Sequence, residues 1–284
     1  MPVIAWPEGN QSALCLTVDI DAETMWTSVD ADNHRRPFIM GQSDYEIEVG
    51  IPLILDLLER RRISTTFFVP GSVAQAHPEA VSDIARAGHE IACHGWLHES
   101  TDGFSRTDEM ALIKRSTDAI TDIVGARPVG YRAGLADVNP QTWGILHELD
   151  YLYSSNVPAS LWPYRHNVPG ADLVEIPLHA MMDDGPYFLI QRRPPNYRQY
   201  MPPSAVAEIW REEFKGIHKL GGVTVLILHP QLIGRPSRLR VLEELIDLAE
   251  SLGNVWIPTM RQVAELCVAT LPRDDKRYRD TPNR

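Results

Sequence analysis

Two carboxylates, Asp19 and Asp21, stand at the end of a strand-like apolar run, 13–20. Residues two apart in an extended chain point to the same side, so both carboxylates face one way. Such a pair repels itself unless a cation or a proton lies between the two groups. It therefore indicates a metal or acid–base site or, as the plainer alternative, a solvated turn after a strand.

A histidine pair, His94 and His98, follows a second strand-like stretch, 90–93. An i, i+4 pair on a helical turn places both imidazoles on one side, where they can hold one metal ion. The residues between them lack the glutamate of the HExxH zinc protease motif. Two histidines with a strand-end aspartate form a facial triad that leaves positions open for water and substrate.

Two more polar residues follow predicted strands. Arg132 can pair with Asp19 and keep that carboxylate ionised and oriented, with an ordinary surface ion pair as the alternative. His229 follows the continuous apolar run 223–228, where an imidazole is placed for general acid chemistry. A satisfied core histidine is the alternative for His229.

Further residues near these motifs are candidates for substrate contacts. Tryptophans can wall a pocket, although most belong to the core or its rim. An acidic turn such as 183–184 can equally be a plain loop. The candidates are Glu23, Trp26, Trp96, Trp162, Asp183 and Asp184.

Strand-like and helix-like segments alternate along the chain, which predicts an α/β fold with a parallel sheet, either barrel or doubly wound. No GxGxxG follows the first strand and no Walker A motif occurs, so nucleotide-binding folds lose support. The predicted strands are 13–20, 63–69, 90–93, 129–132, 173–176, 223–228 and 255–257. The predicted helices are 46–61, 78–87, 107–124, 139–149, 204–220 and 236–252, and a last helix is capped by Thr259 and Gln262.

Three segments break this alternation: 27–44, 156–172 and the proline-rich 192–203. Loops of this length in a folded domain are usually functional or oligomeric. A charged tail, 272–284, is expected to fray.

The composition limits the possible partners. The 284 residues include 27 Lys+Arg against 38 Asp+Glu, a net charge of −11, which argues against nucleic-acid binding. No signal peptide is recognisable, and no stretch approaches the roughly 18 apolar residues of a membrane span. Three cysteines without CxxC spacing fit a reducing compartment. We therefore expect a cytoplasmic protein with no nucleic-acid or membrane partner.

Taken in order, these motifs resemble those of the polysaccharide deacetylase family, the NodB-homology family or carbohydrate esterase family 4. That order is a carboxylate pair on the first strand, HxxxH, an arginine segment, an aspartate segment and a Leu-x-His near the end. The segment 18–26 departs from the common Thr-Phe-Asp-Asp-Gly form and resembles an intracellular branch that includes the Helicobacter peptidoglycan deacetylase and is related to allantoinases and cyclic imidases. Further matches to that branch are 67–71, 87–90, 173–177, 229–230 and 234–236, within a resemblance that spans about residues 12–268.

The resemblance implies a distorted (β/α) barrel that forms one catalytic domain, 1–271, with the site at the carboxyl ends of its strands. It also implies a divalent metal, with Zn²⁺ as the first choice, held by Asp21, His94 and His98.

The catalytic roles implied by the resemblance are a general base at Asp19, a general acid at His229 and an orienting role for Arg132. The implied activity is hydrolysis of a non-peptide C–N bond, which removes an N-acetyl group from a sugar or a peptidoglycan-derived substrate. A ring-opening amidohydrolase acting on a cyclic imide or on allantoin is one alternative, and a catalytically idle barrel with a structural role is another.

The expected partners are a small-molecule or oligosaccharide substrate and further copies of the chain, since the branch implies a homotetramer. Arg132, Arg235 and Arg238 bind either a substrate carboxylate or a neighbouring subunit, and the sequence leaves that choice open.

Overall fold

A computed structural model of the chain describes residues 4–189, 200–272 and 276–278, the last range as backbone only. Parallel strands alternate with helices along most of this length, as the apolar patterns predict. The strands are β1 (Ser12–Asp19), β2 (Thr66–Val69), β3 (Glu90–Cys93), β4 (Gly130–Tyr131), β5 (Tyr153–Ser154), β6 (Tyr164–His166), β7 (Val174–Glu175), β8 (Val223–Leu228), β9 (Val255–Trp256) and β10 (Lys276–Tyr278).

The helices vary from one turn to five. They are α1 (Thr24–Thr27), α2 (Pro37–Tyr45), α3 (Ile51–Arg61), α4 (Gly71–Ala76), α5 (Pro78–Arg86), α6 (Arg106–Val124), α7 (Thr142–Glu148), α8 (Gly185–Phe188), α9 (Pro203–Lys219), α10 (Pro230–Ile233), α11 (Pro236–Leu252) and α12 (Met260–Thr270). A π-helical turn, Glu46–Gly50, joins α2 to α3, and short 3-10 turns occur at Pro7–Gly9, Ala31–Arg35, Gly134–Ala136 and Ala180–Met182.

One curved sheet organises the molecule. Its strand order is β10-β6-β7-β5-β4-β3-β2-β1-β8, with β9 beside the start of β1. Every neighbouring pair is parallel except β6 with β7. The expected distorted (β/α) barrel is confirmed, and the carboxyl ends of β1, β2, β3, β4 and β8 meet at one edge.

Strand β1 is buried on both faces along its whole length. Its alternate residues Leu14, Leu16 and Val18 pack against the surrounding helices, while Ala13 and Cys15 pack inward. Period two then places Thr17 and Asp19 on the inner face as well. The inner face of β1 is therefore apolar where the strand begins and polar where it ends.

Helix α12 covers the end of the barrel at which the strands begin. Thr259 and Gln262 form the predicted capping box at its start. The free N–H groups of its first turn bond to the first residues of two strands, Met260 N to Thr66 Oγ1 at 2.8 Å and Arg261 N to Glu90 Oε2 at 2.9 Å. The opposite end of the barrel stays open for a functional site.

The structure corrects two predicted irregular segments. Residues 27–44 are largely helical, with α2 beginning at Pro37, a residue suited to the first turn. Residues 156–172 contain β6, which the alternation did not predict. Residues 192–199 of the third segment lie outside the described ranges, and α9 begins at Pro203.

Two remaining expectations concern the tail and the cysteines. Within the tail expected to fray, the backbone of residues 276–278 forms β10 and pairs with β6. Cys15, Cys93 and Cys267 are free thiols buried in the core.

Among the helices of the described ranges, none combines the length and the apolar character that crossing a bilayer demands.

Candidate active site

Polar side chains that follow four parallel strands meet at the open end of the barrel. Asp19 ends β1, and His94 follows β3. Arg132 follows β4, and His229 follows β8. All four line one cavity of about 470 Å³ and are buried.

Asp21, His94 and His98 bring three possible metal-ligating atoms within 4.8 Å of one another. Nε2 of His94 lies 3.4 Å from Oδ1 of Asp21, and Nε2 of His98 lies 3.6 Å from Oδ2. Nδ1 of His94 lies 2.9 Å from the carbonyl oxygen of Arg132, which orients the opposite ring nitrogen toward Asp21.

The donor set fits a divalent metal ion. The Asp21 side chain is fully buried, yet neither carboxylate oxygen has a hydrogen-bond partner within the described residues. Burying an unpartnered carboxylate is costly, and buried charges are normally paired or coordinate a metal. Two imidazole nitrogens with one carboxylate oxygen suit a transition metal and leave positions open for water and substrate.

The imidazoles of His94 and His98 come together because the backbone bends between them. The helical turn predicted for this segment is wrong. Residues 94–98 are not helical, and both Gly95 and His98 have positive φ, +73° and +57°. Gly134 packs directly on this bend, and a Cβ there would lie 2.7 Å from the carbonyl carbon of His98. A left-handed backbone at His98, held by a neighbouring glycine, places its imidazole opposite that of His94.

The carboxylate of Asp19 is held by Arg132, as the sequence predicted. Nη1 of Arg132 donates to Oδ1 of Asp19 at 2.6 Å and to Thr17 Oγ1 at 3.0 Å. The guanidinium also bonds to Ser155 and lies 4.0 Å above the ring of Phe68. A buried guanidinium fixed on several sides keeps Asp19 in one orientation. The second oxygen, Oδ2, lies 3.7 Å from Nε2 of His94.

His229 is held by Asp184, which the sequence placed among possible substrate contacts. Nδ1 of His229 lies 2.6 Å from Oδ1 of Asp184, and the backbone N–H of His229 donates to Oδ2 at 3.0 Å. Nε2 therefore points the other way, to 3.6 Å from Oδ2 of Asp21. Asp183 lines the cavity, with Oδ1 3.8 Å from Nδ1 of His229.

Burial and neighbouring charges shift the pKa values of these groups. Burial alone would lower the pKa of His229, but Asp184 and Asp21 raise it well above its ordinary value. Burial raises the pKa of Asp183 to about 6, although His229 opposes the shift. Burial would also raise the pKa of Asp21, but the charges of His98 and His94 hold it below the ordinary range. The pKa of His98 falls because the ring is buried.

The structure adds two residues that the sequence did not single out. Oε2 of Glu46, in the π-helical turn, accepts a hydrogen bond from the N–H of Ala22 at 3.1 Å. Burial and the charge of Asp21 raise the pKa of Glu46 well above its ordinary value. Asn156 lines the cavity, and its Oδ1 accepts from the N–H of Ala133 at 2.7 Å. Neither residue has a sequence signal, since both depend on contacts between distant segments.

Several predicted substrate contacts lie outside the cavity lining. Glu23 pairs with His77, with 3.1 Å between Oε2 and Nε2. Trp26 and Trp96 are buried, and Arg115 lies 3.6 Å from the ring centre of Trp96. Trp162 lines a different depression and donates to Gly221 O.

Comparisons with known proteins find relatives of the whole chain. A model of the polysaccharide deacetylase family matches residues 42–154. The chain is 35% identical to a Mycobacterium smegmatis protein assigned as a polysaccharide deacetylase, over 100% of this chain and 98% of that one, with a TM-score of 0.94. It is 25% identical to the peptidoglycan deacetylase of Helicobacter pylori, over 90% of this chain and 96% of the relative. The Puue allantoinase shares the fold, with a TM-score of 0.84 at 22% identity over 96% of this chain and 95% of that one.

The match to the Mycobacterium smegmatis structure extends over the whole barrel, including the strands from which the cavity residues project. The expected order of motifs is found on these strands and the loops that follow them, from Asp19 on β1 to His229 after β8. The chain therefore belongs to the polysaccharide deacetylase family.

Proposed function

We propose that the chain is a metal-dependent hydrolase that removes an N-acetyl group from a sugar or from a peptidoglycan-derived substrate. One observation carries the proposal: the buried carboxylate of Asp21 has no hydrogen-bond partner in the described residues and faces two imidazole nitrogens. The names of the relatives, which describe deacetylases, support the same reaction class.

Asp21, His94 and His98 would hold the metal, and Zn²⁺ is our choice because its usual ligands include imidazole nitrogen and carboxylate oxygen. When bound there, the ion supplies Lewis-acid chemistry that polarises the amide carbonyl and lowers the pKa of the attacking water. The open side of this site faces the cavity, because His94 and His98 are among the cavity-lining residues.

Asp19 is proposed as the general base. Its Oδ1 is occupied by Arg132, so Oδ2 is the oxygen that accepts a proton from the attacking water. The bond from Arg132 holds the carboxylate in one orientation. Arg132 thus acts through Asp19 and is a positioning residue.

His229 is proposed as the general acid. Asp184 binds Nδ1 and raises the pKa of the ring, which favours the imidazolium with its second proton on Nε2. This proton passes to the amide nitrogen as the C–N bond breaks, and the water oxygen stays on the acyl carbon. The products are acetate and a free amine.

A second candidate, ring opening of a small cyclic amide, is compatible with the cavity walls, although the relatives support deacetylation. The polar residues Asp19, His94, Arg132 and His229 lie together, whereas the remaining lining is largely apolar, with Met25, Val29, Leu135, Pro158, Leu178, Leu189 and Ile227. No phenylalanine, tyrosine or tryptophan ring, on which a sugar could stack, occurs among the described lining residues. The same chemical steps would then add one water to the ring without releasing acetate.

A substrate panel analysed by mass spectrometry tests the proposal. Metal-replete enzyme would be incubated with N-acetylated sugars, chitooligosaccharides, succinimide, hydantoin and allantoin. Loss of one acetyl group from a sugar supports deacetylation, and gain of one water by a ring compound supports the second candidate. No turnover of any compound, together with no bound metal, would indicate the idle barrel.

The variant His98→Ala tests the proposed metal site in the same assay. The variant should lose metal and activity together, because it removes one of three donors. Full activity in His98→Ala would contradict the proposed site. The homotetramer is still a prediction, which native mass spectrometry can test. The cytoplasmic location is also a prediction, which cell fractionation can test. The choice between an oligosaccharide and a small-molecule substrate is tested by the substrate panel.

A further inference from the structure

A second cavity, of about 580 Å³, lies beside the candidate active site. It is formed by the loop and helices around α2, α8, α10 and the start of α11. The two cavities share a wall, since Nε2 of Gln231, which lines the second cavity, lies 3.1 Å from Sδ of Met25, which lines the first. We call the second cavity the arginine pocket.

Two arginines, Arg235 and Arg238, line the arginine pocket. The guanidinium of Arg235 lies 3.4 Å from the ring centre of Tyr45, and that of Arg238 lies 4.7 Å from the ring centre of Phe188. Stacking on a ring leaves the edges of a guanidinium open to hydrogen bonds, and Arg238 also contacts Tyr200, another residue of the pocket lining.

Neither arginine forms an ion pair with any described residue. Arg235 Nε donates to the carbonyl of Gln231 at 3.4 Å, and Arg238 Nη1 to the carbonyl of Leu232 at 3.2 Å. No carboxylate occurs among the lining residues that the structure describes. In a chain with a net charge of −11, two such cations at one pocket make it locally positive.

The pocket also contains the amino-terminal end of α11, a helix of 17 residues. Ser237, in its first turn, lines the pocket. Pro236 has no N–H group, and the N–H groups of Arg238 and Leu239 already donate to the carbonyl oxygen of Arg235. The positive end of the helix dipole is therefore what favours an anion at this position.

A buried acceptor gives an independent indication of a ligand. Gln231 is 1% exposed, and its Oε1 has no hydrogen-bond partner within the described residues. An unpaired buried acceptor destabilises the fold, and a ligand donor would remove that cost. The ligand should therefore carry an N–H or O–H group next to its negative charge.

We propose that the arginine pocket binds a small oxyanion, a carboxylate or a phosphate that also carries a hydrogen-bond donor. Arg235, Arg238 and the start of α11 recognise the charge, and Gln231 accepts the donor. The site is separate from the cavity that contains Asp19 and His229, and its existence does not depend on the proposed reaction.

Isothermal titration with inorganic phosphate tests the pocket, because the monoanion has both charge and an O–H donor. The wild type should show one saturable site per chain. Arg235→Gln and Arg238→Gln should each weaken binding by at least about tenfold, and Gln231→Leu by less, since it removes one neutral hydrogen bond. Arg240→Gln is the matched control, because Arg240 lies on the same helix but is exposed and paired with Glu244.

The variants also separate this pocket from phosphate binding at the metal site. Binding at the metal would persist in the double variant of Arg235 and Arg238, which would overturn the proposal. The proposal would also fail if the wild type gave no saturable heat. Loss of subunit association in the double variant, with no change in phosphate affinity, would assign the arginines to a subunit interface instead.

Discussion

Two fully buried carboxylates, Asp21 at the open end of the barrel and Glu109 on α6, have opposite surroundings. Glu109 accepts hydrogen bonds from Thr142 Oγ1, from Gln141 Nε2 at 2.8 Å and from Asn139 Nδ2 at 3.2 Å, all around the start of α7. The carboxylate of Asp21 has no hydrogen-bond partner in the described residues, and imidazole nitrogens of His94, His98 and His229 lie 3.4–3.6 Å from it.

The difference separates a structural charge from a functional one. The charge of Glu109 is compensated by dipoles that the fold supplies, so nothing further is needed there. The charge of Asp21 is surrounded by groups that bind a metal or a proton but do not themselves complete its hydrogen bonding. A buried carboxylate thus indicates function only once its partners are counted.

The largest expected effect comes from Asp21→Asn, which keeps the shape of the side chain and removes its charge. Bound metal should fall from about one ion per chain to a small fraction, because one anionic donor is lost. Activity should fall by at least about 10²- to 10³-fold, since Lewis-acid stabilisation is worth several kcal/mol. Metal content would be measured by inductively coupled plasma mass spectrometry and activity by acetate release or ring opening.

Glu109→Gln is the matched control for Asp21→Asn. Its amide group would face the donors of Gln141 and Asn139, so the free energy of unfolding should fall by about 1–3 kcal/mol. Metal content and activity should be retained. Equal loss of metal in both variants would show that the contrast between the two carboxylates reflects general unfolding.

A smaller effect is expected from Asp184→Asn, which changes the acid without touching the metal donors. Loss of the carboxylate lowers the raised pKa of His229, so the imidazolium loses its proton at lower pH. The alkaline fall in kcat/KM should move to lower pH, and activity at neutral pH should fall about 10- to 100-fold, part of the usual contribution of a general acid. Metal content should match the wild type.

The pH profile decides the role of Asp184. A uniform loss of activity with an unmoved alkaline limb would assign Asp184 to structural support of the loop alone. A loss of metal in Asp184→Asn would contradict the separation of the acid from the metal site.

Much of this site could be predicted from the sequence because parallel strands bring their carboxyl ends to one edge. Asp19, His94, Arg132 and His229 each follow an apolar run, so their approximate meeting point follows from the alternation of strands and helices. The Asp19–Arg132 contact was predicted in the same way, and it is present at 2.6 Å.

The remaining features depend on contacts that no local pattern encodes. His98 reaches the site through a bend with positive φ supported by Gly134, not through the helical turn that HxxxH spacing suggests. Glu46 and Asn156 contribute through segments that join distant parts of the chain. Asp184 was predicted to contact substrate, and only the folded chain reveals its bond to His229.

The smallest predicted effect concerns Asp183, which lies at the open end and has a pKa raised to about 6 by burial. Because this value exceeds the ordinary value of about 3.9, ionisation is less favourable in the folded chain than in the unfolded one. Its contribution to stability is fully present below about pH 4 and is lost as the pH rises through 6. Asp183→Asn stays neutral and keeps the acceptor for the N–H of Gly185.

The free energy of unfolding of Asp183→Asn should therefore match that of the wild type near pH 4 and exceed it by about 1–2 kcal/mol at pH 8. The difference is smaller than the full pKa shift would give, because the side chain is partly exposed to solvent. Urea unfolding in the presence of EDTA across this pH range would measure the difference without a contribution from metal release. Asp56→Asn, at an exposed helix position paired with Arg60, is the surface control. A difference in the free energy of unfolding that is the same at all pH values would contradict the raised pKa of Asp183. A difference that grows with pH, as predicted, would show that the open end of the barrel keeps its carboxylates at a cost in stability.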